Sequence, residues 1–154
     1  MNKQTEKIVL SGLFIAIGII LGPIFHSAGL GQTISPIHFP VLIAGIIVGW
    51  KYGLAIGLIT PLLSSLMPFG MPLFPVATTM AVELAIYGLT IGLVYEKLKP
   101  FKARIFNIYL ALIIAMVAGR LAGGFTNALI MGIQGNSFSL QAFLSGYFVL
   151  TLPG

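Results

Sequence analysis

Residues 96–104 read Glu96-Lys97-Leu98-Lys99-Pro100-Phe101-Lys102-Ala103-Arg104, and they hold four of the chain's eight basic residues. Before them runs Val76 to Tyr95 and after them Ile105 to Ile133, each almost wholly apolar. A helix rises ~1.5 Å per residue, so both runs are long enough to cross a hydrocarbon core of ~30 Å. A basic loop between two such runs marks a multi-pass membrane protein whose loop faces the cytoplasm.

The composition agrees. Of 154 residues, 58% are hydrophobic and 7% are charged, and the mean hydropathy is +1.07. Soluble domains carry roughly 25% charged residues, which excludes a water-soluble globule. The same hydrophobicity excludes intrinsic disorder. The absence of cysteine excludes disulfides, thiolate metal sites and a cysteine nucleophile. The length fits one integral membrane domain, residues 1–154.

Six apolar runs divide the chain. The spans are expected at about 8–25, 37–50, 53–67, 76–96 and 105–133, with a partial run at 138–154. The first run follows Lys3 and Lys7, but no cleavage site and polar mature domain come after it, so it reads as a retained span and not a signal peptide. With the N-terminus inside, Lys3, Lys7, Lys51, Lys97, Lys99, Lys102 and Arg104 all fall on the cytoplasmic side, and no outer loop contains Lys or Arg. That pattern explains the net charge of +5 as topology, not as a nucleic-acid footprint. The run Ile37–Gly49 gives only ~20 Å of helix. It pairs with the next run either as two tilted spans turning at Trp50–Gly53 or as a re-entrant hairpin. The hairpin would misplace Lys51, so two spans are expected. Pro61 should kink or break the third span.

Small residues recur at spacing four: Gly12 and Ala16; Gly45, Gly49, Gly53 and Gly57; Ala77, Ala81 and Ala85, then Gly88 and Gly92; Ala111, Ala115, Gly119 and Gly123. In lipid such stripes let helix backbones approach closely. Most should pack within the chain, and one is available to a partner.

Two charges lie inside apolar runs, Glu83 and Arg120. Each costs ~3 kcal/mol on insertion scales and must face a cavity or a partner. From the outer ends of their spans, Glu83 lies ~10 Å deep and Arg120 ~18 Å deep. Thr79 and Tyr87 share the helix face of Glu83 at i−4 and i+4, and Asn127 lies two turns outward of Arg120. The arrangement reads as an ion pair joining two helices, as an outward-facing polar pocket in which Arg120 grips a carboxylate, or as both. His38 begins the second span, and His26, Gln32, Thr33 and Ser35 are loop residues placed to close over a ligand. The chain has no Walker-type phosphate loop, no His-Glu-x-x-His and no Gly-x-Ser-x-Gly, and therefore no enzyme signature of these kinds.

The runs His38-Phe39-Pro40-Val41-Leu42-Ile43-Ala44-Gly45, Gly49-Trp50-Lys51-Tyr52-Gly53 and Thr60-Pro61-Leu62-Leu63-Ser64-Ser65 resemble the S components of energy-coupling factor (ECF) transporters. So do Phe69-Gly70-Met71-Pro72, Glu83-Leu84-Ala85-Ile86-Tyr87-Gly88 and Ala118-Gly119-Arg120, in the same order along the chain. The resemblance implies an all-α, six-helix membrane bundle with both termini inside. It implies capture of a water-soluble vitamin or precursor near the outer face, with the pantothenate-type branch the nearest likeness. The partners it implies are a transmembrane coupling protein and two cytoplasmic ATPases, which use the ATP, and delivery is by toppling of the whole subunit in the bilayer. Gly12 and Ala16 occupy the place where small residues of the first helix meet the coupling protein, although the usual pair of alanines is not intact. The loop from about Phe25 to Pro36 takes the gating position. Pro153-Gly154 would lie within the last helix, so five complete spans and a truncated sixth are expected. The rival readings are a self-sufficient small-solute carrier or channel and a structural assembly subunit. Transport by the lone protein in vesicles would mark the first, and the absence of any ligand the second.

Overall fold

The structure, a computed structural model, describes residues 2–27, 36–67, 72–99 and 104–133. These form five helices: α1 (Lys3–Ser27), α2 (His38–Ile47), α3 (Trp50–Ser65), α4 (Thr78–Leu98) and α5 (Arg104–Ile133). The partial run 138–154 and most of the loop that contains Gln32 lie outside the described residues. Among the described residues every element is helical, as befits a membrane protein. Three stretches, Lys3–Gly22, Leu73–Leu98 and Ile105–Gly132, are long and apolar enough to cross a bilayer.

α2 and α3 are shorter. With 10 and 16 residues they extend about 15 Å and 24 Å, less than a hydrocarbon core of ~30 Å. The turn between them falls earlier than the sequence suggests. It is made at Val48–Gly49, and Trp50-Lys51-Tyr52-Gly53 is the first turn of α3. Gly49 supplies the reversal with φ of 108°, a conformation that glycine adopts at little cost. Nothing in Trp50–Gly53 opposes helix, so the chain resumes at once. Nor does Pro61 break α3, which continues to Ser65. A Thr60 hydroxyl bonded to the Ile56 carbonyl at 2.6 Å and a Ser65 hydroxyl bonded to the Leu62 carbonyl at 2.7 Å flank the proline. Before α4 the chain makes a wide, irregular turn over Leu73–Ala77, with Phe74 extended.

α4 is central. It packs on α2, α3 and α5, while α1 lies against α2 and α3 on the far side. One core cluster joins Ile37, Val41 and Ala44 to Ile56 of α3 and to Leu84 and Tyr87 of α4. A second joins Ile91 of α4 to Ala111 and Ala115 of α5. Glycines set the close approaches. A methyl group built on Gly45 would lie 2.7 Å from the Gly88 carbonyl oxygen, and one on Gly53 would lie 2.6 Å from the same atom. α2, α3 and α4 therefore meet backbone to backbone. One on Gly57 would overlap the Leu84 carbonyl.

The small residues of α1 divide between two faces. Gly18 sits against Thr60, where an added methyl would come 2.6 Å from the threonine methyl, and Gly22 sits beside Ser64. Gly12 has nothing within 4 Å, and both it and Ala16 are exposed. At ~100° per residue, positions 12 and 18 point ~120° apart. The stripe that docks α1 internally is Gly18–Gly22, and Gly12–Ala16 is left on the outer face.

Candidate functional site

Glu83 and Tyr87 are one helical turn apart on α4, so their side chains lie on one face. The Tyr87 hydroxyl donates to Glu83 Oε1 at 2.8 Å. α5 is shaped to receive both groups. Gly119 lies under the Tyr87 ring, and a methyl built on Gly123 would fall 2.9 Å from Glu83 Oε2. The glycine spacing on α5 thus matches the Glu83–Tyr87 spacing on α4. The sequence suggested close backbones here, but the space holds two polar side chains.

Arg120 follows Gly119 directly and completes the group. Its side chain is only 8% exposed. Its charge acts on both the Glu83 carboxylate and Tyr87. A buried guanidinium is tolerable only when paired in this way. The separate depths of Glu83 and Arg120, estimated from span ends alone, converge in the folded bundle. His38, the first residue of α2, meets Tyr87 edge to face, with ring centroids 5.3 Å apart. Three helices therefore contribute to one cluster of His38, Glu83, Tyr87 and Arg120.

The other expected residues are placed differently. Thr79 is buried on the Glu83 face, but its hydroxyl donates to the Pro75 carbonyl at 2.7 Å, back into the irregular turn that precedes α4. Asn127 is partly buried two turns from Arg120, and its side chain makes no hydrogen bond among the described residues. Gln32 lies outside the described residues. Asn107, which sequence reading passed over, is 4% exposed and donates through Nδ2 to the Leu98 carbonyl at 2.8 Å. It ties the start of α5 to the end of α4. An uncapped helix end facing an asparagine across a short basic loop was the available signal.

The cluster can do two things chemically. Its charges balance, so it joins α4 to α5 at bearable cost. The arginine also offers five N–H donors in a planar fork, which suits a carboxylate. No acid, base and nucleophile are arrayed for catalysis among these four side chains.

The comparisons with known proteins give one positive result. A family model described as ECF transporter, substrate-specific component, matches residues 6–153. Neither a curated protein nor a solved structure matches the chain.

Proposed function

We propose a solute-capture function for the chain, which belongs to the family of ECF transporter substrate-specific components. Members of this family are substrate-binding transport subunits and not enzymes, and ATP hydrolysis lies with their partner subunits. On our reading, this member captures a small carboxylate-bearing vitamin or precursor, pantothenate in the first instance. The observation that carries the reading is Arg120, 8% exposed and close enough for its charge to act on both Glu83 and Tyr87. Glu83 and Tyr87 hold the fork and Arg120 grips the carboxylate. His38, Thr79, Asn127 and Gln32 supply polar contacts around the rest of the solute.

The lysines cluster at the opposite end of the bundle from this group, and the positive-inside rule then sets the site toward the outside and the N-terminus in the cytoplasm. The subunit delivers its solute by toppling. A transmembrane coupling protein and two ATPases drive that step. Gly12 and Ala16 suit contact with the coupling protein, because both are exposed and Gly12 has nothing near it. Family membership favours this over a self-sufficient carrier or an assembly subunit.

The test is ligand binding by the purified full chain, first by native mass spectrometry after growth in rich medium, then by titration with pantothenate. Arg120→Gln should weaken binding about 100-fold, or ~2.7 kcal/mol, in the range of hydrogen bonds to a charged group. The helical fold should persist. A variant that loses stability without ligand, yet binds with unchanged affinity in the folded fraction, would reduce Arg120 to a link between α4 and α5.

A further inference from the structure

The end of the bundle remote from Arg120 holds a cavity of about 310 Å³. Lys7 of α1, Lys51 of α3 and Lys99 of α4 all line it. Each ammonium lies over an aromatic ring: Lys7 over Tyr52 at 5.8 Å, Lys51 over Trp50 at 5.3 Å and Lys99 over Tyr95 at 5.8 Å. The rings support the lysine stems and keep three cations around one space. Glu96 also lines the cavity, but it forms no ion pair with these lysines among the described residues. Three positive groups against one negative leave the cavity cationic.

The floor adds donors. α3 begins here, and its first helical hydrogen bond runs from Gly53 N–H to the Gly49 carbonyl at 2.9 Å. The amides of Trp50, Lys51 and Tyr52 precede that bond, and no side chain caps them. They add the partial positive charge of a helix start to the three ammoniums. One wall is apolar: Ile47 lines the cavity and is 59% exposed. It continues the surface from the cavity onto the flank of α2 where Phe39 and Ile43 are exposed among the described residues.

We propose that this cavity binds the headgroup phosphate of an anionic phospholipid, with the acyl chains running along Ile47. Two features favour a lipid over a soluble anion. Tryptophan and tyrosine mark the membrane interface, and the cationic space opens onto an apolar wall. A basic pocket between helices at the cytoplasmic surface is suited to anionic headgroups, each nearby lysine contributing about fivefold in affinity. The inference rests on the membrane placement of the lysine end, and it is independent of which solute Arg120 takes.

Trp50 is the chain's only tryptophan and lines the cavity, so it reports occupancy directly. The full chain is reconstituted in phosphatidylcholine nanodiscs containing a small fraction of brominated phosphatidylglycerol, or an equal fraction of brominated phosphatidylcholine. Phosphatidylglycerol should quench Trp50 at about tenfold lower mole fraction than phosphatidylcholine. The preference should fall close to one in Lys7→Gln/Lys51→Gln and persist in Lys3→Gln/Lys97→Gln, which removes equal charge without touching the cavity lining. Equal quenching by the two lipids in the unmodified chain would overturn the proposal without recourse to any variant. An equal loss in both double variants would show diffuse surface attraction instead of a site. Relief of quenching by millimolar inorganic phosphate would assign the cavity to a soluble anion and overturn the lipid. Pantothenate titration of the same samples keeps this result separate from the capture reading.

Discussion

Replacing Tyr87 with Phe removes one oxygen atom from the centre of the polar cluster and leaves the packing alone. The ring still rests on Gly119 and still meets His38. What is lost is the 2.8 Å hydrogen bond to Glu83 Oε1 and the contact with Arg120. In soluble proteins a hydrogen bond to a charged group contributes ~1.5–3 kcal/mol. Side-chain hydrogen bonds inside membranes average ~0.6 and reach ~1.7 kcal/mol, because the unfolded state in lipid also finds partners. Tyr87 and Glu83 are neighbours on one helix, so part of their bond can survive unfolding of the bundle. We therefore expect Tyr87→Phe to cost ~0.5–1.5 kcal/mol of stability. Its effect on affinity should be comparable or larger, about tenfold (~1.4 kcal/mol), since Arg120 loses one of the groups that aim it. The measurement is a double-mutant cycle of Tyr87→Phe with Glu83→Gln, read by reversible unfolding in mixed micelles and by pantothenate titration. A coupling energy of ~1 kcal/mol is expected. Additivity within ~0.3 kcal/mol, with unchanged affinity, would refute the idea that these two side chains organise Arg120.

Three further substitutions test the packing and the backbone. Gly53→Ala places a methyl 2.6 Å from the Gly88 carbonyl oxygen and 2.9 Å from the Gly45 Cα, where only backbone can yield, and should destabilise the bundle by ~1–3 kcal/mol in an unfolding assay. Gly12→Ala meets nothing within 4 Å and should be neutral or stabilising by up to ~1 kcal/mol, given the helix preference of alanine; a loss comparable to that of Gly53→Ala would contradict the placing of Gly12 on an unpacked face of α1. Gly49→Ala has open space around it but a φ of 108° and a ψ of 166°, so it should cost ~1–3 kcal/mol through backbone strain alone, visible as a lower unfolding midpoint with unchanged ligand affinity.

Hydropathy and charge made the helical membrane class legible, because long apolar runs have few other uses. They pointed to helix in the long apolar runs, where Lys3–Gly22, Leu73–Leu98 and Ile105–Gly132 are long and apolar enough to cross a bilayer. They misplaced the α2–α3 turn by a few residues, because Gly49 and Gly53 look alike in sequence and only the backbone shows which has positive φ. Glu83 and Tyr87 were readable as one face from their spacing, and Arg120 as their partner from the rarity of charge in such runs. Gly119 and Gly123 were visible as small residues, but the cargo between them, two polar side chains, depends on how α4 and α5 are rotated. The same ambiguity hid Gly18 and Gly22, which dock α1, behind the equally small Gly12 and Ala16. Lys7, Lys51 and Lys99 were read as topology alone. Their common cavity arises only when three chain segments, distant in sequence, end side by side.

The meeting of α2, α3 and α4 at Gly45, Gly53 and Gly88 has a mechanical meaning. Elsewhere in proteins, helices touch through side chains that hop between rotamers, and long ones lose up to ~2 kcal/mol of conformational entropy when trapped. Glycines have no rotamers to trap. Bare backbones at such distances hold each other through short-range attraction and weak Cα–H···O contacts, which vanish with small separations. A junction of this kind has little compliance: it is closed or it is open, with no graded loosening between. The three helices should thus turn, tilt or translate as one stiff body. Whatever freedom the subunit has is left to its edge, to α1 with its glycine-and-hydroxyl seam.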